Sequence, residues 1–123
     1  MQLESIPCDQ GTIAVVTGDD GVVIRDVQSA LDLLMAARYE ADADRIAIAK
    51  ELIADDFFIL STGMAGEILQ KYVNYQAKLA IYGDYSHYTS KPLHDFIYES
   101  NKGRDFFFVE SREEALRKLA EAR

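Results

Sequence analysis

Hydroxyl, carboxylate, imidazole and ammonium groups crowd into two short stretches of this chain, and recognition or catalysis would have to draw on them. The first, residues 50–63, carries Glu51, Asp55 and Asp56 and ends on Ser61-Thr62-Gly63. The second runs Gly83-Asp84-Tyr85-Ser86-His87-Tyr88-Thr89-Ser90-Lys91. Hydroxyls at a helix start meet unpaired backbone N–H groups and the positive end of the helix dipole. That setting stabilises a phosphate, whether attached to Ser61 or carried by a ligand. The plain alternative is that Ser61 or Thr62 caps the helix and does nothing more.

The acidic residues allow a different chemistry. Carboxylates held together can ligate Mg²⁺ through oxygen, or divide acid and base roles if burial separates their pKa values. Asp55 and Asp56 are adjacent, however, so on most backbones they diverge, and a solvated acidic loop is the simpler expectation. In the second stretch, Tyr85 and His87 offer rigid amphipathic contact area of the kind found on recognition surfaces. Ser86 and His87 do not make a nucleophile–base pair, because adjacent side chains rarely face one another and no third group orients them. His94 stands alone, whereas a metal site needs several converging ligands. No catalytic residue, metal-ligand set or cofactor is therefore assigned. The candidate binding residues are Ser61, Thr62, Gly63, Asp55, Asp56, Asp84, Tyr85, Ser86 and Lys91, with Ser61 the candidate for phosphorylation.

The elements that must position these residues follow from hydrophobic spacing. Residues 12–17 (TIAVVT) read as a strand, residues 18–21 (GDDG) as a turn, and residues 22–24 (VVI) as a second strand paired with the first in a hairpin. Asp26 caps a helix in which Val27, Ala30, Leu31 and Leu34 recur at helical spacing. Residues 45–49 (RIAIA), 78–82 (KLAIY) and 105–109 (DFFFV) are short apolar runs of the sort buried in parallel sheets. A helix beginning near Ser61 to Gly63 turns Ala65, Ile68, Leu69, Tyr72 and Val73 inward. Another starts at Ser90 with Pro92 in its first turn, buries Leu93, Phe96 and Ile97, and stops at Gly103. Residues 111–114 (SREE) open a last helix with a capping box. The predicted class is α/β, a mixed and mostly parallel sheet of about five strands with four helices, in the order ββαβαβαβα. Phe57 and Phe58, adjacent in a charged connection, cannot both face one core, so one is expected to be exposed.

Several classes of function are disfavoured at this level. Acidic residues outnumber basic ones by 21 to 13, for a net charge of −8. Nucleic-acid affinity comes mainly from cations that neutralise phosphates, so DNA and RNA are not expected partners. No stretch approaches the ~20 apolar residues of a membrane span, and the first residues do not form a secretory signal. The lone Cys8 fits a reducing, cytoplasmic compartment. The chain reads as a single domain over residues 1–123.

Element order resembles the sulphate-transporter and anti-sigma-factor-antagonist (STAS) domain. A strand, a charged loop and then Ser61-Thr62-Gly63 at a helix start is similar to that fold's phosphoserine loop. Phe108-Val109-Glu110-Ser111 running into Glu113-Glu114-Ala115-Leu116 resembles its closing strand and helix. One departure is that the antagonist loop places an Asp before its serine, where this chain has Leu60. The runs at residues 62–71 (TGMAGEILQK) and 90–101 (SKPLHDFIYESN) resemble bacterial domain-of-unknown-function family 4180 over nearly the whole chain. That resemblance implies a small bacterial domain and no assigned activity.

Ligands in open parallel sheets collect where loops leave the carboxyl ends of strands. The expected function is thus a regulatory or binding module that engages a protein partner or phosphate-bearing ligand where the Ser61 and Asp84 segments emerge side by side. The alternatives are a small metal-assisted enzyme using the acidic residues 51–56, or a structural homodimer with Phe57 or Phe58 at the contact.

Overall fold

Five strands and four helices account for the chain in a computed structural model that describes residues 1–18 and 21–123. Strands β1 (Gln2–Cys8) and β2 (Gly11–Thr17) form a tight antiparallel hairpin. After α1 (Val27–Ala41) the chain alternates through β3 (Arg45–Ala49), α2 (Met64–Asn74), β4 (Lys78–Tyr82), α3 (Lys91–Lys102), β5 (Phe106–Val109) and α4 (Arg112–Glu121). The sheet order is β1-β2-β3-β4-β5, with β2 through β5 parallel. The class and order match the expectation, but the hairpin is built from a different pair.

The partner of β2 is the segment before it, not residues 22–24. Val22 and Val23 lie outside any strand, and Ile24 makes one parallel bridge to Ile53. The N–H groups of Val23 and Ile24 both donate to the Leu52 carbonyl, at 2.7 and 3.1 Å, and Ala54 N–H donates to Ile24. This apolar run is therefore tied to the connection after β3. The proposed turn at residues 18–21 falls partly on Asp19 and Asp20, which lie outside the described residues.

Each βαβ step moves one strand along the sheet, and a constant right-handed crossover puts α1, α2 and α3 on the same face. Ala14, Val16, Ile46, Ile48, Leu79, Ile81 and Phe108 point to that face. The alternate residues Ile13, Val15, Ala47, Ala80, Phe107 and Val109 point to the other, which α4 covers with Ala115 and Leu119. Tyr72 is fully buried, and its hydroxyl donates to the Ala30 carbonyl at 2.7 Å, joining α2 to α1. Burial pushes the Tyr72 hydroxyl well above its ordinary pKa. Val73, expected inside, is exposed.

Local capping explains the helix boundaries. The Asp26 carboxylate accepts Ser29 N–H at 2.8 Å, and the Ser29 hydroxyl accepts Asp26 N–H at 3.0 Å, a reciprocal cap on α1. Ser90 caps α3 with Pro92 beside it, and Ser111 caps α4. Arg45, buried at the start of β3, donates to the carbonyls of Leu119 (2.5 Å) and Ala122 (2.6 Å), where the negative end of α4 favours a cation.

Candidate functional site

The connection from β3 to α2 is a chain of three 3-10 turns, Lys50–Leu52, Asp55–Phe58 and Leu60–Thr62. It lies against the segment leaving β4, and Lys50 joins the two. A Cβ on Gly83 would stand only 2.7 Å from Lys50 Cβ, so the lysine stem runs directly over the glycine backbone. Its ammonium then sits 5.7 Å from the Phe58 ring centroid and 5.0 Å from that of Tyr88.

Both Phe57 and Phe58 are buried, so the expectation that one is exposed is corrected, and neither can anchor a homodimer. A 3-10 turn rotates successive residues by about 120°, which lets the neighbours point apart and still reach apolar ground. Phe57 packs near Phe108 (6.4 Å between centroids), while Phe58 stacks on Tyr88 at 5.4 Å and lies 6.2 Å from Tyr85.

Asp84, Tyr85 and Ser86 form one wall of a cleft of about 390 Å³, completed by His94, Ile97, Tyr98 and Asn101 on α3 and by Glu110 after β5. Its position has a topological cause. The β4 connection rises to α3 on one face of the sheet, whereas the β5 connection turns to α4 on the other. Adjacent parallel strands whose loops part in this way leave a crevice at their carboxyl ends. Two larger hollows, of about 460 Å³ each, lie elsewhere, one between residues 21–25 and α1 and one at the amino end of β3 and β4.

The cleft is organised by local hydrogen bonds. Asp84 Oδ1 accepts the Ser86 N–H at 2.8 Å. Hydrogen bonding from Ser86 holds the Asp84 carboxyl below the usual carboxylate range, helped by the charges of His87 and Lys50. The Tyr85 hydroxyl donates to the Ile81 carbonyl at 2.8 Å, and burial raises its pKa far above the ordinary value. His94 Nε2 lies 2.7 Å from the Tyr88 carbonyl, which assigns it the proton. The Asn101 side chain binds the Phe108 backbone twice, accepting its N–H at 2.7 Å and donating to its carbonyl at 3.1 Å. Tyr98 is exposed, with the Lys102 ammonium 4.3 Å from its ring centroid.

The other candidate residues stand apart from this cleft. Ser61 is exposed and makes no side-chain hydrogen bond among the described residues. It lies in the 3-10 turn before α2, and the N-cap position belongs to Gly63, at φ +78°. Neither Ser61 nor Thr62 is the cap. Thr62 braces the turn instead: its hydroxyl donates toward the Asp56 and Ile59 carbonyls (2.8 and 2.9 Å) and accepts Met64 N–H at 3.2 Å. Asp55 and Asp56 are exposed on their own turn. Lys91 is exposed at the start of α3 and pairs with Asp95 at 2.7 Å. Among the described residues, no three His, Cys, Asp or Glu side chains converge as a metal site would require.

The architecture and this crevice define a small α/β domain with an open mixed sheet and a polar cleft between its last two strands. The chain belongs to the family described as "Domain of unknown function (DUF4180)", whose model matches residues 9–119. Searches of curated proteins and of solved structures each found no match. No helix among the described residues is long and apolar enough to cross a membrane.

Proposed function

We propose that this domain is a regulatory binding module, and that its cleft receives a cationic side chain from a protein partner in the bacterial cytoplasm. The observation that carries this reading is the parting of the β4 and β5 connections over a hollow bordered by two carboxylates, Asp84 and Glu110, with no Lys or Arg in its lining. Charge of that sign attracts an ammonium or guanidinium and repels phosphate. The apolar wall of Ile97 suits the aliphatic stem of a lysine or arginine, beside a Tyr98 ring that already carries the Lys102 ammonium. The resemblance to the anti-sigma-factor-antagonist fold supports a partner surface at this same edge.

Two-dimensional amide NMR tests the reading with tetra-arginine and, separately, inorganic phosphate as probes. The peptide is expected to shift Asp84, Ser86, Tyr98 and Glu110. Asp84→Asn combined with Glu110→Gln should weaken the peptide about tenfold, the effect of losing ~1.4 kcal/mol of charge-assisted contact. Shifts caused by phosphate alone, or no shift in the cleft at millimolar peptide, would overturn the assignment.

A further inference from the structure

The two edges of the sheet are finished differently. On β5 the Asn101 amide takes up both outward backbone groups of Phe108. On β1 no side chain among the described residues does this. The two-residue turn pairs Cys8 with Gly11, and antiparallel pairs alternate between bonded and non-bonded. The phase places Ile6, Glu4 and Gln2 in bonded pairs with β2, and turns the backbone of Leu3, Ser5 and Pro7 outward. Pro7, which has no N–H, sits at an outward position and costs the hairpin nothing. Among the described residues, nothing takes the outward N–H and carbonyl groups of Leu3 and Ser5.

An independent observation concerns the same strand. Helix α4 packs over β2 to β5 and meets β1 through the ion pair of Arg112 with Glu4 (2.5 Å). Ile6 and Cys8, which face the α4 side of the sheet, are therefore only partly covered. An unpaired edge and an incompletely covered apolar pair thus coincide on one strand, and both are relieved by a neighbouring strand.

We infer that β1 pairs antiparallel with β1 of a second copy about a two-fold axis, joining the two sheets into one. Isologous pairing must set outward residues against outward residues, and charge selects among the registers. Centring the axis on Glu4 would oppose two carboxylates directly, which destabilises a pair. Centring it on Ser5 sets Glu4 across from Ile6 of the second copy, and Leu3 across from Pro7. The two Ser5 residues then exchange reciprocal N–H to carbonyl bonds, and each Leu3 N–H donates to a Pro7 carbonyl. Proline is compatible with this register because only its carbonyl is needed. The edge is separate from the cleft between β4 and β5, so the two readings stand or fall independently.

Sedimentation with amide exchange tests the inference on the full chain. A mass twice the 13.8 kDa of one chain is expected, with exchange at Leu3 and Ser5 slowing as concentration rises from micromolar to millimolar. Ser5→Pro removes the outward donor without touching a bond to β2 and should return the mass to that of a monomer. Ser5→Lys keeps the backbone but opposes two ammonium groups, and should also give a monomer, with the dimer partly restored at high salt. A monomer at millimolar concentration, a dimer unaffected by both substitutions, or Leu3 and Ser5 amides exchanging at unstructured rates in the dimer would each overturn it.

Discussion

Replacing Gly83 by alanine puts a methyl carbon 2.7 Å from Cβ of Lys50, 3.3 Å from its Cδ and 3.6 Å from its Cγ. Carbon atoms at ease sit ~3.5–4.0 Å apart, so the first contact overlaps by about 1 Å. The flexible end of the lysine can swing away, but its Cβ is fixed to the backbone just after β3. Overpacking of this kind costs ~1–3 kcal/mol, and the rigidity of the struck atom places Gly83→Ala near the upper part of that range. For a chain of this size the melting temperature should fall by roughly 5–10 °C. Urea denaturation on a double-mutant cycle isolates the cause. Lys50→Gly removes the struck atom and should recover the share of the loss due to overlap in the Gly83→Ala background, leaving the backbone strain of an alanine at φ +158°. Lys50→Ala retains it and should recover little. A Gly83→Ala protein as stable as wild type, or equal rescue by Lys50→Ala and Lys50→Gly, refutes the claim that the Lys50 stem lies hard against the Gly83 backbone.

Tyr72→Phe removes the hydroxyl that donates to the Ala30 carbonyl, whose bond within α1 remains, and should cost ~1 kcal/mol, read as a lower urea midpoint at unchanged slope. Because burial raises the Tyr72 pKa in the folded state, the unfolded chain ionises first, and stability should decline above pH 10 in wild type but less steeply in the phenylalanine variant. Asp26 is held below the usual carboxylate range, chiefly by the Ser29 backbone N–H, so the stabilisation it brings is present above the ordinary aspartate pKa and lost as pH falls through the depressed folded value. Asp26→Asn, which still caps α1 but does not titrate, should flatten the acid limb of a stability-against-pH curve; an unchanged limb would count against the cap's role.

The parallel strands were legible because residues covered on both faces are apolar in unbroken runs, as in the Ile46 to Ala49 and Phe106 to Val109 stretches. Caps carried the helix ends: Ser90 with Pro92, and Ser111. Strand β1 gave only a faint signal, around Cys8, for the opposite reason. An edge strand half covered on each face keeps Glu4, Ser5 and Pro7 among its apolar residues, and no period dominates. The run from Val22 to Ile24 resembles a strand because all three residues are β-branched and apolar, yet only Ile24 is buried, Val22 is exposed, and the backbone bonds go to Leu52 and its neighbours. Within the cleft, Asp84, Tyr85 and Ser86 could be picked out by type alone. The α3 wall could not, although His94, Ile97, Tyr98 and Asn101 lie on one helical stripe. Their significance depends on the β5 connection turning to the opposite face, a fact about packing that local spacing does not carry. Lys50 was overlooked because its partners, Phe58, Gly83 and Tyr88, come from a segment up to 38 residues away.

Among the described residues, one face of the sheet depends on a single helix, and that helix follows every strand it covers. During synthesis Ile13, Val15, Ala47, Ala80, Phe107 and Val109 have no lid until residues 112–122 have been made. The guanidinium that fastens the lid, on Arg45, is meanwhile already in place on the third strand, awaiting the Leu119 and Ala122 carbonyls. Ribosome-bound chains cut short before that point should therefore be sticky intermediates suited to chaperone capture, and release from that state should coincide with the arrival of the final helical turns.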